Sequence, residues 1–160
     1  MVDQGIHLLD ILIFFCGEFL TVKSFISNKF WSFRVEDNAY SLIKFKNNVI
    51  AMIHSTATQW QHKFRVEIIM EKGQINLNGI LSGSKSYGDE KIEIIPKFSR
   101  KNQKVRLVSF KKDLSWDRET KEFINALKKN QKIKTGNIED AKKVMNLVDK
   151  IYKSDKSWKY

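Results

Sequence analysis

Hydrophobic and polar positions change their period along this chain. At the start, Ile6, Leu8, Leu9, Ile11, Leu12, Ile13, Phe14 and Phe15 form a nearly unbroken apolar run, interrupted by His7 and Asp10. The run predicts a buried helix that ends at Gly17, a residue suited to the position after a helix. From residue 19 the period shortens to two. Residues 19–30 read as a strand, with Phe19, Thr21 and Lys23 opposed to Leu20, Val22 and Ser24. Glu36-Asp37-Asn38 reads as a turn. Residues 39–45 and 49–60 read as strands joined by Lys46-Asn47-Asn48, where asparagine tolerates positive φ. Residues 64–70 alternate cleanly, with Phe64, Val66, Ile68 and Met70 opposite Arg65 and Glu67. Lys72-Gly73 is a second turn, 74–80 a strand, 81–89 a Gly/Ser-rich loop, and 91–95 and 104–110 further strands.

The helical period returns at the end. Ser115 is the expected cap of a helix over 115–129, with Phe123, Ile124 and Leu127 facing inward. After Thr135-Gly136, Asn137 is the expected cap of another helix. Its apolar set is Ile138, Ala141, Val144, Met145, Val148, Ile151 and Tyr152. The order helix, many strands, two helices predicts an α+β fold: a largely antiparallel open β-sheet with helices packed on one face, in a single domain over 1–160. In 49–60, Val49, Ala51 and Ile53 alternate with the equally apolar Ile50 and Met52. A sheet covered on one side does not need that, so the second face is the expected contact of a homodimer or homotetramer.

Composition narrows the class. A hydrophobic content of 42% and an aromatic content of 12% are those of a folded globule and exclude a disordered tail. One proline and seven glycines leave no room for long linkers. Cys16 is the single cysteine, so no internal disulfide forms, which suits a reducing, cytoplasmic compartment. With no second thiol and no histidine cluster, no metal site is expected. The apolar run 11–16 is too short to cross a bilayer and lacks the flanks of a signal peptide, so no membrane partner is expected.

The net charge of +11 raises nucleic-acid binding. The excess is mostly lysine, however. The five arginines, Arg34, Arg65, Arg100, Arg106 and Arg118, are scattered, and the lysine clusters Lys101/Lys104, Lys111/Lys112 and Lys128/Lys129 are modest. A solvated lysine-rich surface accounts for them, so no nucleic-acid partner is expected. The charge would still steer an anionic substrate.

Candidate chemistry sits at the start. In a helix, Asp3, His7 and Asp10 fall at i, i+4 and i+7, along one stripe. A carboxylate and an imidazole one turn apart in a partly dry setting make a proton-transfer pair. The other reading is structural: Asp3 as an N-cap, His7 as a core histidine, Asp10 paired with a lysine. A second candidate is residues 56–63, where Gln59, Trp60 and His62 are of the types that hold sugars. Trp60 either stacks on a pyranose or simply packs.

Several motifs, taken in order, resemble one family. Asp3-Gln4-Gly5-Ile6-His7-Leu8-Leu9-Asp10 is similar to the Asp-x-Gly-x-His-x-x-Asp helix in the C-terminal domain of the glucose–fructose oxidoreductase, inositol dehydrogenase and rhizopine-catabolism (Gfo/Idh/MocA) enzymes. Val35-Glu36-Asp37-Asn38-Ala39 and Phe45-Lys46-Asn47-Asn48 resemble its following hairpin, with Asn48 in place of the usual glycine. Phe64-Arg65-Val66-Glu67-Ile68 with Glu71-Lys72-Gly73, and then 136–154, resemble its later strand, turn and last helix. The resemblance implies a nicotinamide-dependent oxidoreductase acting on sugars, polyols or nucleotide sugars. It implies that His7 exchanges a proton with substrate, and that Asp3 contacts substrate and orients or charges His7. Asp10 is read as structural.

The departures matter as much. No G-x-G-x-x-G follows a strand, and no Glu-Lys-Pro carries the family's catalytic lysine. Glu71-Lys72-Gly73 is a turn and no substitute. The expectation is therefore a chain without the cofactor-binding half, whether fragment or part of a split enzyme. It would hold no NAD or NADP itself and be inactive alone. The alternative is a non-catalytic sugar-binding or assembly module.

Overall fold

A computed structural model describes residues 1–97, 104–134 and 136–159. Arg100 and Lys101 of the basic clusters, and Thr135 before the last helix, lie outside the described residues. The described elements run, in chain order, α1 (Gly5–Cys16), β1 (Phe19–Ser27), β2 (Asn38–Phe45), β3 (Ile50–Thr56), β4 (Arg65–Met70), β5 (Gly73–Asn78), β6 (Lys91–Pro96), β7 (Arg106–Ser109), α2 (Ser115–Lys128) and α3 (Ile138–Ser154). All strand pairs are antiparallel. The strands form two ladders, β1-β2-β3 and β4-β5-β6-β7. The chain divides into two compact units, residues 1–59 with the chain from 132 onward, and residues 60–131.

In the first unit, α1 and α3 cover one face of β1-β2-β3. The core joins Leu9 of α1, Ala39, Ile43 and Phe45 of β2, Ile53 of β3, and Val144, Leu147, Val148 and Ile151 of α3. Each large side chain buried this way contributes roughly 1.5–3 kcal/mol. The period-two pattern of β2 is obeyed strictly: Ala39, Ser41, Ile43 and Phe45 face the helices, while Tyr40, Leu42 and Lys44 are exposed. Ser24 and Ser41, polar and buried, satisfy each other at 2.8 Å.

Turn chemistry decides the boundaries. Gly17 ends α1 with φ 78 and donates to the Ile13 carbonyl. Asn48 adopts φ 66 in the β2–β3 hairpin. Asn137 caps α3 by accepting from the Glu139 and Asp140 amides. The first strand stops at Ser27, short of the expected residue 30, because the Asp37 carboxylate accepts the amides of Phe30 (2.7 Å) and Trp31 (3.0 Å) and draws the chain into a loop. The third strand stops at Thr56, where the Thr56 hydroxyl accepts the Thr58 amide and turns the chain.

Three expectations of burial are corrected. The helix α1 is apolar on all sides yet only half covered: Phe14 and Phe15 are 74% and 51% exposed, and His7 and Asp10 are exposed with them. Its fully buried residues are Gly5 and Leu9, with Ile6, Leu8, Leu12, Ile13 and Cys16 partly buried against the core. In α2, Phe123, Ile124 and Leu127 are exposed and Ala126 is the buried residue. An amphipathic period fixes which side chains share a face, but not what covers it. The N-cap of α2 is Leu114, without a side-chain cap bond, in place of the expected Ser115; the Asp113 carboxylate before it accepts both the amide and the hydroxyl of Ser115. These bonds hold the Asp113 carboxyl below the usual range. In α3 the covered stripe is Val144, Leu147, Val148 and Ile151, while Ile138 and Met145 are exposed.

The second unit is built on β4-β5-β6-β7. Asn76, buried on β5, donates to Glu93 of β6 at 2.9 Å and accepts from Gln74 at 2.6 Å. Gly73 opens β5 in a two-residue turn where only glycine fits: a Cβ would lie 2.3 Å from the Ile95 carbonyl oxygen.

Candidate functional site

The start of α1 is held by contacts on three sides. Gly5 lies so close to β3 that an ideal Cβ there would be 2.9 Å from Ser55 Oγ and 2.3 Å from Met1 Sδ. The Met1 amino group and the Tyr152 hydroxyl both donate to Glu36 Oε1, the latter at 2.7 Å. Burial pushes the Glu36 carboxyl up, but the amino group and the Tyr152 hydroxyl outweigh it, and the net effect is a lowered pKa. Glu36 thus ties the first residue of the chain to α3. One turn inside that clamp, His7 projects from the helix into solvent.

Asp3 stands in the turn before Gly5, not within the helix. Its carboxylate accepts from Gln4 Nε2 at 3.3 Å, and no hydrogen bond or ion pair joins it to His7 among the described residues. The helix N-cap is Gln4, without a side-chain cap bond, so Asp3 is no N-cap either. The expected dry setting for the pair is corrected: both side chains are exposed, because this stripe of α1 faces away from β3 and α3. Asp10, one turn further, lines a cavity of about 870 Å³ with Phe14, Phe19, Lys134, Asp140 and Lys143.

Gln59 is exposed beyond the end of β3, and Trp60 is 88% exposed. His62, in the second unit, places Nδ1 3.0 Å from Ser86 Oγ and its ring 5.0 Å from that of Tyr87. Sequence reasoning missed a polar group on the open face of β1-β2-β3. His54 stacks on Tyr40 with ring centroids 3.9 Å apart and sets Nε2 3.3 Å from Asn38 Oδ1. Thr58 and Thr56 continue the chain of polar contacts. Burial lowers the His54 pKa. The signal was present in the hairpin register, since a turn at Asn47-Asn48 sets Tyr40 opposite His54 and Asn38 opposite Thr56.

Among the described residues no three His, Cys, Asp or Glu side chains gather into a metal-ligating group, and no helix is long and apolar enough to cross a membrane. The strand-to-helix junction between β7 and α2, Phe110-Lys111-Lys112-Asp113-Leu114, contains no glycine. It does not fit a dinucleotide, whose diphosphate needs a glycine turn at a helix start.

The fold defines the class: an α+β domain in which helices back an antiparallel sheet. Residues 1–76 match the family described as GFO/IDH/MocA C-terminal domain. UDP-N-acetylglucosamine 3-dehydrogenase GnnA from Acidithiobacillus ferrooxidans is similar in structure, with a TM-score of 0.78 at 14% identity, covering 97% of this chain and 46% of that one. Levoglucosan dehydrogenase in complex with NADH gives 0.75 at 16%, covering 95% and 46%. The WlbA dehydrogenase from Bordetella pertussis, in complex with NADH and UDP-GlcNAcA, gives 0.68 at 16%, covering 97% and 42%. The chain spans less than half the length of each. No protein of curated function matches the sequence.

Proposed function

We propose that this chain is the substrate-binding and oligomerisation part of an NAD(P)-dependent oxidoreductase acting on a sugar, polyol or nucleotide sugar. The observation that carries the reading is His7: an imidazole in solvent, one turn into a helix whose start is fixed by Gly5 against Ser55 and by Glu36 against Tyr152. Oxidising an alcohol carbon releases the hydroxyl proton, and a positioned imidazole takes it up. Asp3, on the turn leading into the same helix, is placed to touch the substrate. Gln59, Trp60 and His62 are assigned to sugar contacts, and Asp10 to structure. The redox cofactor would be held by residues outside this chain, which works in the cytoplasm and is inactive alone. Its known structural relatives include dehydrogenases bound to NADH, which favours that reading.

The test is a titration of the chain with UDP-N-acetylglucosamine and with N-acetylglucosamine, following the His7 imidazole by NMR. Saturable shifts at His7, weakened in Asp3→Ala, are expected. A spectrum in which His7 ignores both sugars overturns the assignment. NADH added to the chain is expected to give no saturable fluorescence change, and micromolar binding would contradict the assignment of the cofactor to other residues.

A further inference from the structure

The Gly/Ser-rich loop of the second unit and His62 come together in a way neither motif announces alone. His62 Nδ1 lies 3.0 Å from Ser86 Oγ, Ser86 Oγ lies 2.8 Å from Ser84 Oγ, and Ser84 Oγ lies 3.1 Å from Ser82 Oγ. Three hydroxyls thus run in series into an imidazole. Lys85, between two of those serines, takes φ 54. Its amide bonds to the Ser82 carbonyl at 3.0 Å, and its carbonyl receives the Gly88 amide at 3.4 Å, so the turn is internally braced.

The base of the loop is closed as well. The Leu81 amide donates to Glu90 Oε2 at 3.0 Å, and the Gly79 amide donates to the Phe64 carbonyl at 3.1 Å. Gly79 permits this at φ +71, where a Cβ would sit 2.2 Å from the Asp89 carbonyl oxygen.

The charge around this series has one sign to spare. Lys63 and Lys85 are exposed, and no ion pair among the described residues engages either. Of the neighbouring acids, Asp89 pairs with Lys91 at 3.0 Å, and Glu90, which receives the Leu81 amide, offsets one of the two lysines and leaves one positive charge over. A hydroxyl proton rotates to suit its surroundings, and an imidazole donates from whichever ring nitrogen carries hydrogen. With His62 donating into Ser86, two of the three serine protons close the series and one is left to turn outward, on a loop that also carries the exposed Lys85. That is a donor array for a tetrahedral oxyanion, whose several oxygens each accept a charge-assisted hydrogen bond.

We propose that loop 82–88 with His62 and Lys63 is a phosphoryl-binding site. It deepens the sugar reading above and rests on it for one point only, that the phosphoryl group belongs to a nucleotide sugar and not to free phosphate.

The experiment titrates the isotope-labelled chain with inorganic pyrophosphate at low ionic strength, reading the His62 imidazole and the amides of 84–88. Saturable shifts are expected, with affinity about tenfold weaker in Ser86→Ala and in Lys85→Ala, a difference of about 1.4 kcal/mol. Lys97→Ala, at an exposed lysine beyond β6, is the control expected to bind as well as the parent chain. Shifts that never saturate, or that persist unchanged in Ser86→Ala and Lys85→Ala, overturn the site. UDP binding more tightly than inorganic phosphate assigns the group to a nucleotide; equal binding assigns it to free phosphate and removes the nucleotide-sugar part of the proposal. UDP-N-acetylglucosamine separates the two readings in one spectrum. Because His62 is assigned to both sites, the amides of 84–88 are the readout: a response there with none at His7 keeps the anion site and sinks the sugar site, and the reverse sinks the anion site alone.

Discussion

A methyl group added at Gly5 has no free space to enter, since it would meet Ser55 and Met1 at sub-van der Waals distance. The glycine of the Asp-x-Gly-x-His motif therefore sets how closely α1 approaches β3, and with it where His7 projects. Gly5→Ala is expected to lower stability by about 1 kcal/mol, the smaller end of overpacking because Met1 is flexible. Chemical denaturation measures it, and an unchanged midpoint would show that the approach is not tight. Asp155 plays a comparable part at the far end of α3. Its Oδ2 accepts the Ile26 amide at 2.7 Å, and its Oδ1 accepts the amide and hydroxyl of Ser157 at 2.9 and 2.6 Å. The Ser157 hydroxyl above all, against the opposing effect of burial, holds its carboxyl below the usual range. A depressed carboxyl contributes stability above its unfolded pKa of about 3.9 and loses it as pH falls through the lower folded value. Denaturation midpoints are expected to be flat at neutral pH and to fall below about pH 4. Asp155→Asn is expected to be less stable at pH 7, with a shallower acid limb. An acid limb as steep as that of the parent chain would remove Asp155 from the account.

Each element is held by a few groups that propensity alone does not reveal. Asn137 is the clearest on α3, and Asn137→Ala is expected to cost about 1 kcal/mol, read as a drop in melting temperature without loss of the folded spectrum. No drop would mean that the Glu139 and Asp140 amides find other partners. Element identity was legible in the sequence: an apolar run marks α1, the period of two from residue 19 marks the described strands, and the 3.6 period from 115 marks α2 and α3. The ends of β1 and β3 were not legible. They depend on Asp37 reaching back across a loop and on the Thr56 hydroxyl reaching forward, and such side-chain bonds leave no periodic trace. The division of the strands into two ladders was equally hidden, since alternation fixes faces and not partners. The covered side of α2 was misjudged for the same reason. At the site, the residue types and their proximity in sequence were visible. That Asp3 leaves the helix at Gly5, and that His62 meets Ser86, depends on the path of the backbone.

At the scale of the molecule, the open face of β1-β2-β3 is the feature that asks for a partner. Phe25, Ile50 and Met52 are 79%, 69% and 76% exposed. Register places Phe25 beside Tyr40, Leu42 beside Met52, and Lys44 beside Ile50 on that same face. A contiguous apolar surface of this kind is costly in water. The proposed partner is a second copy, because a twofold axis through the face would set apolar residues against apolar residues. The same geometry brings Lys23 and Lys44 toward their own copies, and the face carries no acidic residue to offset them. Burial drives association while like charges oppose it, and salt screens only the second term at these distances, with a Debye length near 30 Å at 0.01 M and about 8 Å at 0.15 M. Sedimentation is therefore expected to show a dimer or larger assembly that tightens as salt is raised. Met52→Glu is expected to dissociate it while leaving the monomer folded, since the Met52 side chain is exposed and adds nothing to the buried core. A chain that stays monomeric at every salt concentration, or a Met52→Glu variant that assembles as well as the parent, would leave this face without a function.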